Sequence, residues 1–565
     1  MRFLSWKQLL SPFAAAALLL GFVGGCGDDD GSASDAGPDV LLVDGGADAE
    51  ADAEVIPPSA CEPLGLPERA FVDATEDTAL RAMAADFTVP TTAGDWVLSE
   101  RWSGCDSYLF ILDWPAQNDP AFGYGMWEDA GDVEDLLAAL PSNVHVFFVS
   151  VASAQGDRDA ALEQLQNNIL AAMTPMDPQD RDWWAERIHY VTSSAAGLSG
   201  WLGTVLQNPG FGIGIDRFQR IRYMGSYAGL NHYNGSLPWP FGHNVSMAAN
   251  EAVYYNYEAD RELALEAFPA TTVTLFDATP VAAGGGGWFP VTVELPDAAT
   301  MAGFDTFELD LTLNCEGPGE YGYCPAWDYN VFLNMCETVS ATSCDLEVGH
   351  WITSYHREGR WVHDVSGLLP LLDDGGPHKF SFNISDPWEV TLQLRFSNQG
   401  KALRPSECIP LFAAGSHEFN ETYNDNFSPV DLTIPADVQR VELHHAITGH
   451  GMSQPGNCAE FCDTYHHYYV NGADNVQHFP TTGNQQGCMF QIPEGTVPNQ
   501  YGTWWFGRGG WCPGKYVPVG VFDITSQVSP GASNTFEYEG FYLNQPYTGD
   551  NWRNIHQASW VVIYR

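Results

Sequence analysis

Apolar positions follow two different rhythms along this chain, and the change falls near residue 268. Between about 65 and 265, compact apolar runs such as Ser107-Tyr-Leu-Phe-Ile-Leu112 and Val144-His-Val-Phe-Phe-Val149 have strand length, and residues 132–140 and 159–173 have helical spacing. Residues 188–191 predict another strand, followed by a Gly-Leu-Ser-Gly-Trp helix, and residues 211–216 with 220–227 predict a hairpin. Alternating strands and helices make 65–267 an α/β domain. From 268 onward, alternating stretches such as Phe307-Glu-Leu-Asp-Leu-Thr-Leu313, Val390-Thr-Leu-Gln-Leu-Arg-Phe396 and Val441-Glu-Leu-His-His445 recur between Gly, Pro and Asn clusters, without long helical patterns. That is the signature of antiparallel sandwiches, and some 300 residues suffice for two, 268–415 and 416–565, with a seam near 412–418.

Ahead of these domains, Arg2 and Lys7 precede an apolar run over 9–23 that ends in Val23-Gly24-Gly25-Cys26. Basic, apolar and small residues in that order predict a secretory signal, since the run is short for a membrane span. The small pair before Cys26 is the pattern of a bacterial lipoprotein, so residues 1–26 are expected to be a leader and Cys26 the lipidated residue. Residues 27–64 open with Asp28-Asp29-Asp30 and are rich in Asp, Ala and Gly, too polar to bury a core; they are expected to be a solvated tether. The expected location is therefore outside the cytoplasm, anchored to a bacterial membrane at the cell surface or in the periplasm by lipid alone. A net charge of −49 argues against nucleic acid as a partner, because phosphate binding needs clustered Lys and Arg. A monomer is expected.

Trp102-Ser103-Gly104-Cys105 before the first strand, together with the closing hairpin, makes the α/β domain similar to thioredoxin-like redoxins. Ser103 stands where a redox pair needs its first cysteine, so a structural or partner-binding module is expected rather than a reductase. Eleven of the twelve cysteines lie beyond Cys26. In an exported chain, close pairs are read as disulfides before metal ligands: Cys315 with Cys324, Cys336 with Cys344, Cys458 with Cys462, Cys488 with Cys512. Cys61 and Cys105 could form a fifth, leaving Cys408.

Three acidic segments stand beside aromatics or cysteines: Cys324-Pro-Ala-Trp-Asp328, Ser385-Asp386-Pro387-Trp388 and Cys458-Ala-Glu460-Phe-Cys462. A bridge between Cys458 and Cys462 closes a ring that contributes only about 2 kcal/mol by chain entropy, against about 3.5 for the Cys488–Cys512 loop. Aiming Glu460 explains the small ring better than stability does, because a catalytic group must be held within about half an ångström of its working position.

In their order along the chain, the Cys-x-x-Trp-Asp element, the acidic-Trp segment, Gly449-His450-Gly451, Cys-Ala-Glu-Phe-Cys and Arg508-Gly-Gly-Trp511-Cys512-Pro513-Gly514 resemble the peptide-N-glycosidase F family over about 270–565. The resemblance implies two jelly-roll sandwiches side by side with a cleft at their junction. It also implies an amidase that hydrolyses the bond between asparagine and the innermost N-acetylglucosamine, converting Asn to Asp, with no metal or other cofactor. The implied substrates are N-glycosylated proteins or glycopeptides. Asp328 matches the family's principal catalytic aspartate and Glu460 its glutamate inside the ring. Asp386 falls where the family has a glutamate, one methylene longer, and Glu389 is the alternative for that place. Arg508, Trp388, Trp327, His450 and Trp511 are the implied substrate-binding residues, while Tyr329 replaces a family arginine.

Two rival readings follow from the same residues. His444, His445, His450, His466 and His467 form a local cluster, and copper monooxygenases have a similar double sandwich. Adjacent strand residues point to opposite faces, which opposes convergence of His444 with His445 or His466 with His467. The other rival is a surface lipoprotein that binds glycans or a partner without cutting, since Tyr329 and Asp386 depart from the family pattern.

Overall fold

A computed structural model describes residues 61–114, 125–207, 210–233, 241–281, 287–549 and 553–565. Cys26 and the tether as far as residue 60 lie outside the described residues. The described residues belong to one compact unit.

The α/β part carries a five-stranded sheet in the order Ile188–Tyr190, Val144–Val149, Ser107–Leu112, Gly212–Ile215, Ile221–Tyr223. The first three strands are mutually parallel, and the last two add antiparallel to Ser107–Leu112. Both apolar runs seen in the sequence are strands at the same bounds, buried on both faces as a parallel centre requires. Helix Ala130–Ala139 is capped by the Asp129 carboxylate, which accepts from the Gly131 and Asp132 amides.

Both β units are jelly rolls by topology. Numbering the eight strands of each in chain order from Thr271–Val281 and from Pro405–Glu418, the two sheets of each run 1-8-3-6 and 2-7-4-5. Leu309, Leu311 and Leu313 face inward against Leu392 and Leu394 with no exposure, the period-2 pattern read in the sequence. The seam differs from the expected one. Strand Pro405–Glu418 pairs along its length with the final strand, Asn554–Tyr564, so the second sandwich begins at Pro405 rather than 416. Local pattern could not show this, because the bulges along that strand break its alternation and its partner is the last strand of the chain.

The second half also returns to the first: Lys515–Tyr516 adds to the edge of the first sandwich beside Leu346–Ile352. Helix Ala249–Ala267 braces this excursion. Its buried Glu251 is 2.7 Å from the Arg357 guanidinium and accepts from the Asn499 side chain at 2.9 Å, while Arg357 donates to the Pro498 carbonyl at 2.8 Å. One apolar core accordingly runs from the α/β sheet into the first sandwich, and the second sandwich has its own.

All four expected disulfides and the Cys61–Cys105 bridge are present, and Cys408 is free and buried.

Candidate active site

Asp328 precedes strand Asn330–Met335, in the turn after the Cys315–Cys324 ring. Thr353 pins the backbone on either side of it. The Tyr329 amide donates to the Thr353 hydroxyl at 2.8 Å, that hydroxyl donates to the Trp327 carbonyl at 2.7 Å, and the Thr353 amide donates to the Tyr329 carbonyl at 2.9 Å.

Glu460 is held from both sides of its small ring. Its amide donates to the Gly451 carbonyl at 3.0 Å, its carbonyl accepts from the Gly509 amide at 2.8 Å, and its carboxylate accepts from the Gly451 amide at 3.1 Å. The close approach explains Gly449, where a Cβ would stand 2.3 Å from the Ala459 carbonyl oxygen.

Arg508 joins the two acids. Its Nε donates to Glu460 Oε1 at 3.2 Å and its Nη2 lies 3.5 Å from Asp328 Oδ2. The guanidinium also donates to the Thr503 and Phe506 carbonyls at 3.2 and 2.9 Å and to the Thr503 hydroxyl at 3.3 Å, and it lies over the Trp511 ring at 5.0 Å. Its side chain is 0% exposed, whereas Asp328 and Glu460 keep 16% and 19%. The carboxylates thus open to solvent more than the arginine does, and Arg508 orders the two acids from within.

Tyr355, which no sequence motif marked, completes the group. Its hydroxyl hydrogen-bonds Asp328 and lies 3.5 Å from Arg508 Nη2. Burial pushes the Asp328 carboxyl above its ordinary range, while Arg508 and the Tyr355 hydroxyl pull it back. Burial likewise raises Glu460 against the pull of Arg508, with the Asp328 charge adding to the rise. Burial and the Asp328 charge push the Tyr355 phenol far up, so it stays a donor at any working pH. Chemically, this is a pair of carboxylates more basic than free ones, fixed on one enclosed cation.

Asp386 and Glu389, the two candidates for the third acid, turn to different partners. Asp386 lies near Tyr329, whose phenol is raised by burial and then by the Asp386 charge. Glu389 instead turns to the Asn314 amide at 3.4 Å.

The aromatics divide. Trp327, beside Asp328, is 58% exposed, and Tyr329 is 40% exposed. Trp388 and Trp511 are buried, at 0% and 5% exposure, and the Trp511 indole donates to the Gly449 carbonyl at 2.7 Å. Both rings are packed into the structure, where burying an aromatic ring is stabilising, and neither shows the free face that Trp327 does. His450 stacks on Trp511 at 5.0 Å and bonds the Thr448 hydroxyl at 2.8 Å, and burial with the charges of His556 and Arg508 drives its pKa down to about 3.

The five histidines of the copper reading do not converge. His444 turns to Glu442, His445 stacks on Tyr468 within the second sandwich, His466 bonds the Tyr538 hydroxyl and His467 faces Asp474. Among the described residues, the group with metal-ligand spacing is Glu347, His350 and His556, which includes none of them.

Comparison with known proteins follows the same division of the chain. The family model described as peptide-N-glycosidase F, C terminal, matches residues 418–563. The peptide-N(4)-(N-acetyl-beta-D-glucosaminyl)asparagine amidase F of Elizabethkingia miricola is 28% identical over 138 residues, 24% of this chain and 36% of that protein, so the chain spans about a third of the length of this curated relative. Among solved structures, a recombinant peptide:N-glycanase F is 18% identical with a TM-score of 0.41, covering 52% of this chain and 95% of that one. PNGF-II is 13% identical with a TM-score of 0.39, covering 52% and 65%. The family-model match over residues 418–563 and the curated relative both support a likeness of this chain to the peptide-N-glycosidase F family.

Proposed function

We propose that this chain is an exported, lipid-anchored amidohydrolase that releases N-linked glycans by cutting the amide between asparagine and the innermost N-acetylglucosamine, leaving aspartate in the peptide. The observation that carries the reading is the single guanidinium shared by Asp328 and Glu460, one acid from each jelly roll, at 3.5 and 3.2 Å. Hydrolysing an unactivated amide needs an oriented water and a base for its proton. Asp328, raised in basicity yet held ionised by Arg508 and Tyr355, takes that proton as the water oxygen attacks the side-chain carbonyl carbon. The carbon–nitrogen bond then breaks, the nitrogen takes a proton, and the glycosylamine leaves. Glu460 acts on the sugar side, through hydroxyls or a bridging water, and the exposed Trp327 offers a flat apolar face to a pyranose ring. Asp386 fills the third acidic place beside Tyr329.

Substrates are N-glycosylated proteins or glycopeptides. Membrane contact is through the Cys26 anchor, nucleic acid has no part, and the chain works as a monomer. The α/β unit serves as a thioredoxin-like scaffold without redox exchange, with Cys105 bonded to Cys61 and Ser103 hydrogen-bonded to Asp106 at 2.6 Å.

The test is incubation of the protein with a defined glycopeptide and mass analysis of the product. Conversion of asparagine to aspartate is expected, and Asp328→Asn should abolish it without changing the unfolding midpoint. An asparagine that keeps one sugar, or full turnover by Asp328→Asn, refutes the assignment.

A further inference from the structure

Where the two jelly rolls meet face to face, strand Leu346–Ile352 of the first opposes strand Asn554–Tyr564 of the second. Residues 347 and 350 are three apart and would point to opposite faces of a regular strand. A bulge changes this. The register steps from Leu333 opposite Gly349 to Asn334 opposite Glu347, so Val348 is the extra residue. Phe332 and Asn334, two apart and on one face, oppose His350 and Glu347, which therefore share a face. His556 arrives from the other sandwich, with its Nε2 2.6 Å from Glu347 Oε2.

We infer that Glu347, His350 and His556 bind a divalent transition-metal ion, zinc by their donor set, as a clamp between the two sandwiches. Their ligand atoms lie within 4.8 Å of one another, and all three residues are buried. Glu347 Oε1 and His350 Nδ1 are 3.6 Å apart and neither has a hydrogen-bond partner. Two orphaned buried polar atoms facing each other are costly unless something sits between them. Ligands about 2.0–2.1 Å from a tetrahedral zinc are roughly 3.3 Å apart, and the 3.6 and 2.6 Å separations bracket that edge.

The outer contacts fit as well. Asn330 Oδ1 is 2.8 Å from His350 Nε2 and accepts its proton, which leaves the Nδ1 lone pair free for a metal. Ser416 Oγ is 3.1 Å from His556 Nδ1 and can do the same for Nε2. The Phe332 ring packs on both imidazoles, at 4.3 and 5.0 Å. An entry path exists, since Glu347 and His350 line a cavity of about 550 Å³ between the sandwiches.

The alternative is a plain hydrogen bond from His556 to Glu347 with no ion, and the experiment separates the two. The full chain, stripped with chelator, is titrated with zinc alone by calorimetry and by thermal unfolding. One equivalent should bind and raise the unfolding midpoint by several degrees. Both His556→Gln and Glu347→Gln should weaken binding about tenfold or more and unfold, without zinc, near the midpoint of the stripped wild type. His444→Gln, which lines the same cavity outside the triad, should bind as wild type does. X-ray absorption of the zinc form should show nitrogen and oxygen ligands without sulfur. A wild-type chain that takes up no stoichiometric zinc, zinc held through sulfur, or binding unaffected by both triad substitutions overturns the assignment. None of these readouts depends on amidase activity.

Discussion

Replacing Tyr355 by phenylalanine removes one hydroxyl and leaves a largely buried ring in place. That hydroxyl hydrogen-bonds Asp328 and helps hold its carboxylate ionised against burial. A hydrogen bond to a charged group contributes about 1.5–3 kcal/mol, equivalent to roughly a ten- to hundredfold change in an equilibrium, so the Asp328 pKa should rise when the hydroxyl is removed. The sign follows from the role. Asp328 works as the ionised base, so the acidic limb of kcat/KM already stands above an ordinary aspartate and should move to higher pH in Tyr355→Phe. At a pH below the acidic limb of both proteins the variant should lose roughly ten- to a hundredfold of kcat/KM, while in alkaline buffer, where Asp328 is ionised in both, the gap should close. The assay is release of glycan from a fluorescent glycopeptide between pH 4 and 9. An equal loss at every pH, or a limb that stays where it was, would refute the idea that Tyr355 acts through the Asp328 charge.

Other substitutions separate binding from packing. Trp327→Ala, at an exposed ring, should raise KM roughly two- to tenfold and leave the urea midpoint unchanged, whereas Trp388→Ala should cost about 3–5 kcal/mol of stability as a buried tryptophan does. If Trp388→Ala changed only KM, the burial argument would fail. Converting Cys458 and Cys462 together to serine should cost about 2 kcal/mol in denaturant unfolding but lower kcat by much more than that loss explains, because Glu460 loses its frame; unchanged kcat would mean the ring serves stability alone. Glu251→Gln removes one of the two carboxylates paired with Arg357, Glu320 at 2.9 Å being the other, and should destabilise the protein by about 1.5–3 kcal/mol in urea; no change would show that the helix Ala249–Ala267 does not brace the loop before Arg508.

The sequence by itself determined what is local. Apolar runs at period two and stretches at helical spacing located Ser107–Leu112, Val144–Val149 and the helices after them, because backbone geometry ties period to structure wherever one face is buried. Cysteine spacing marked four of the five bridges and left Cys61–Cys105 open, and the framed acids Asp328 and Glu460 were visible because each sits against its own cysteine ring. Tertiary structure alone decided the rest. Only pairing with the final strand puts Pro405–Glu418 in the second sandwich, and only the crossing of chain segments brings Tyr355 to Asp328 and Glu251 to Arg357. Burial decided which tryptophans are free: Trp327 and Trp388 look alike beside their acids, yet one is open and the other sealed in the core. The bulge at Val348 and the meeting of two sandwiches put Glu347, His350 and His556 together, although nothing near any of them marks it. Such contacts join residues from separate elements of the chain, and side-chain period reports which way a residue faces but not what it meets there.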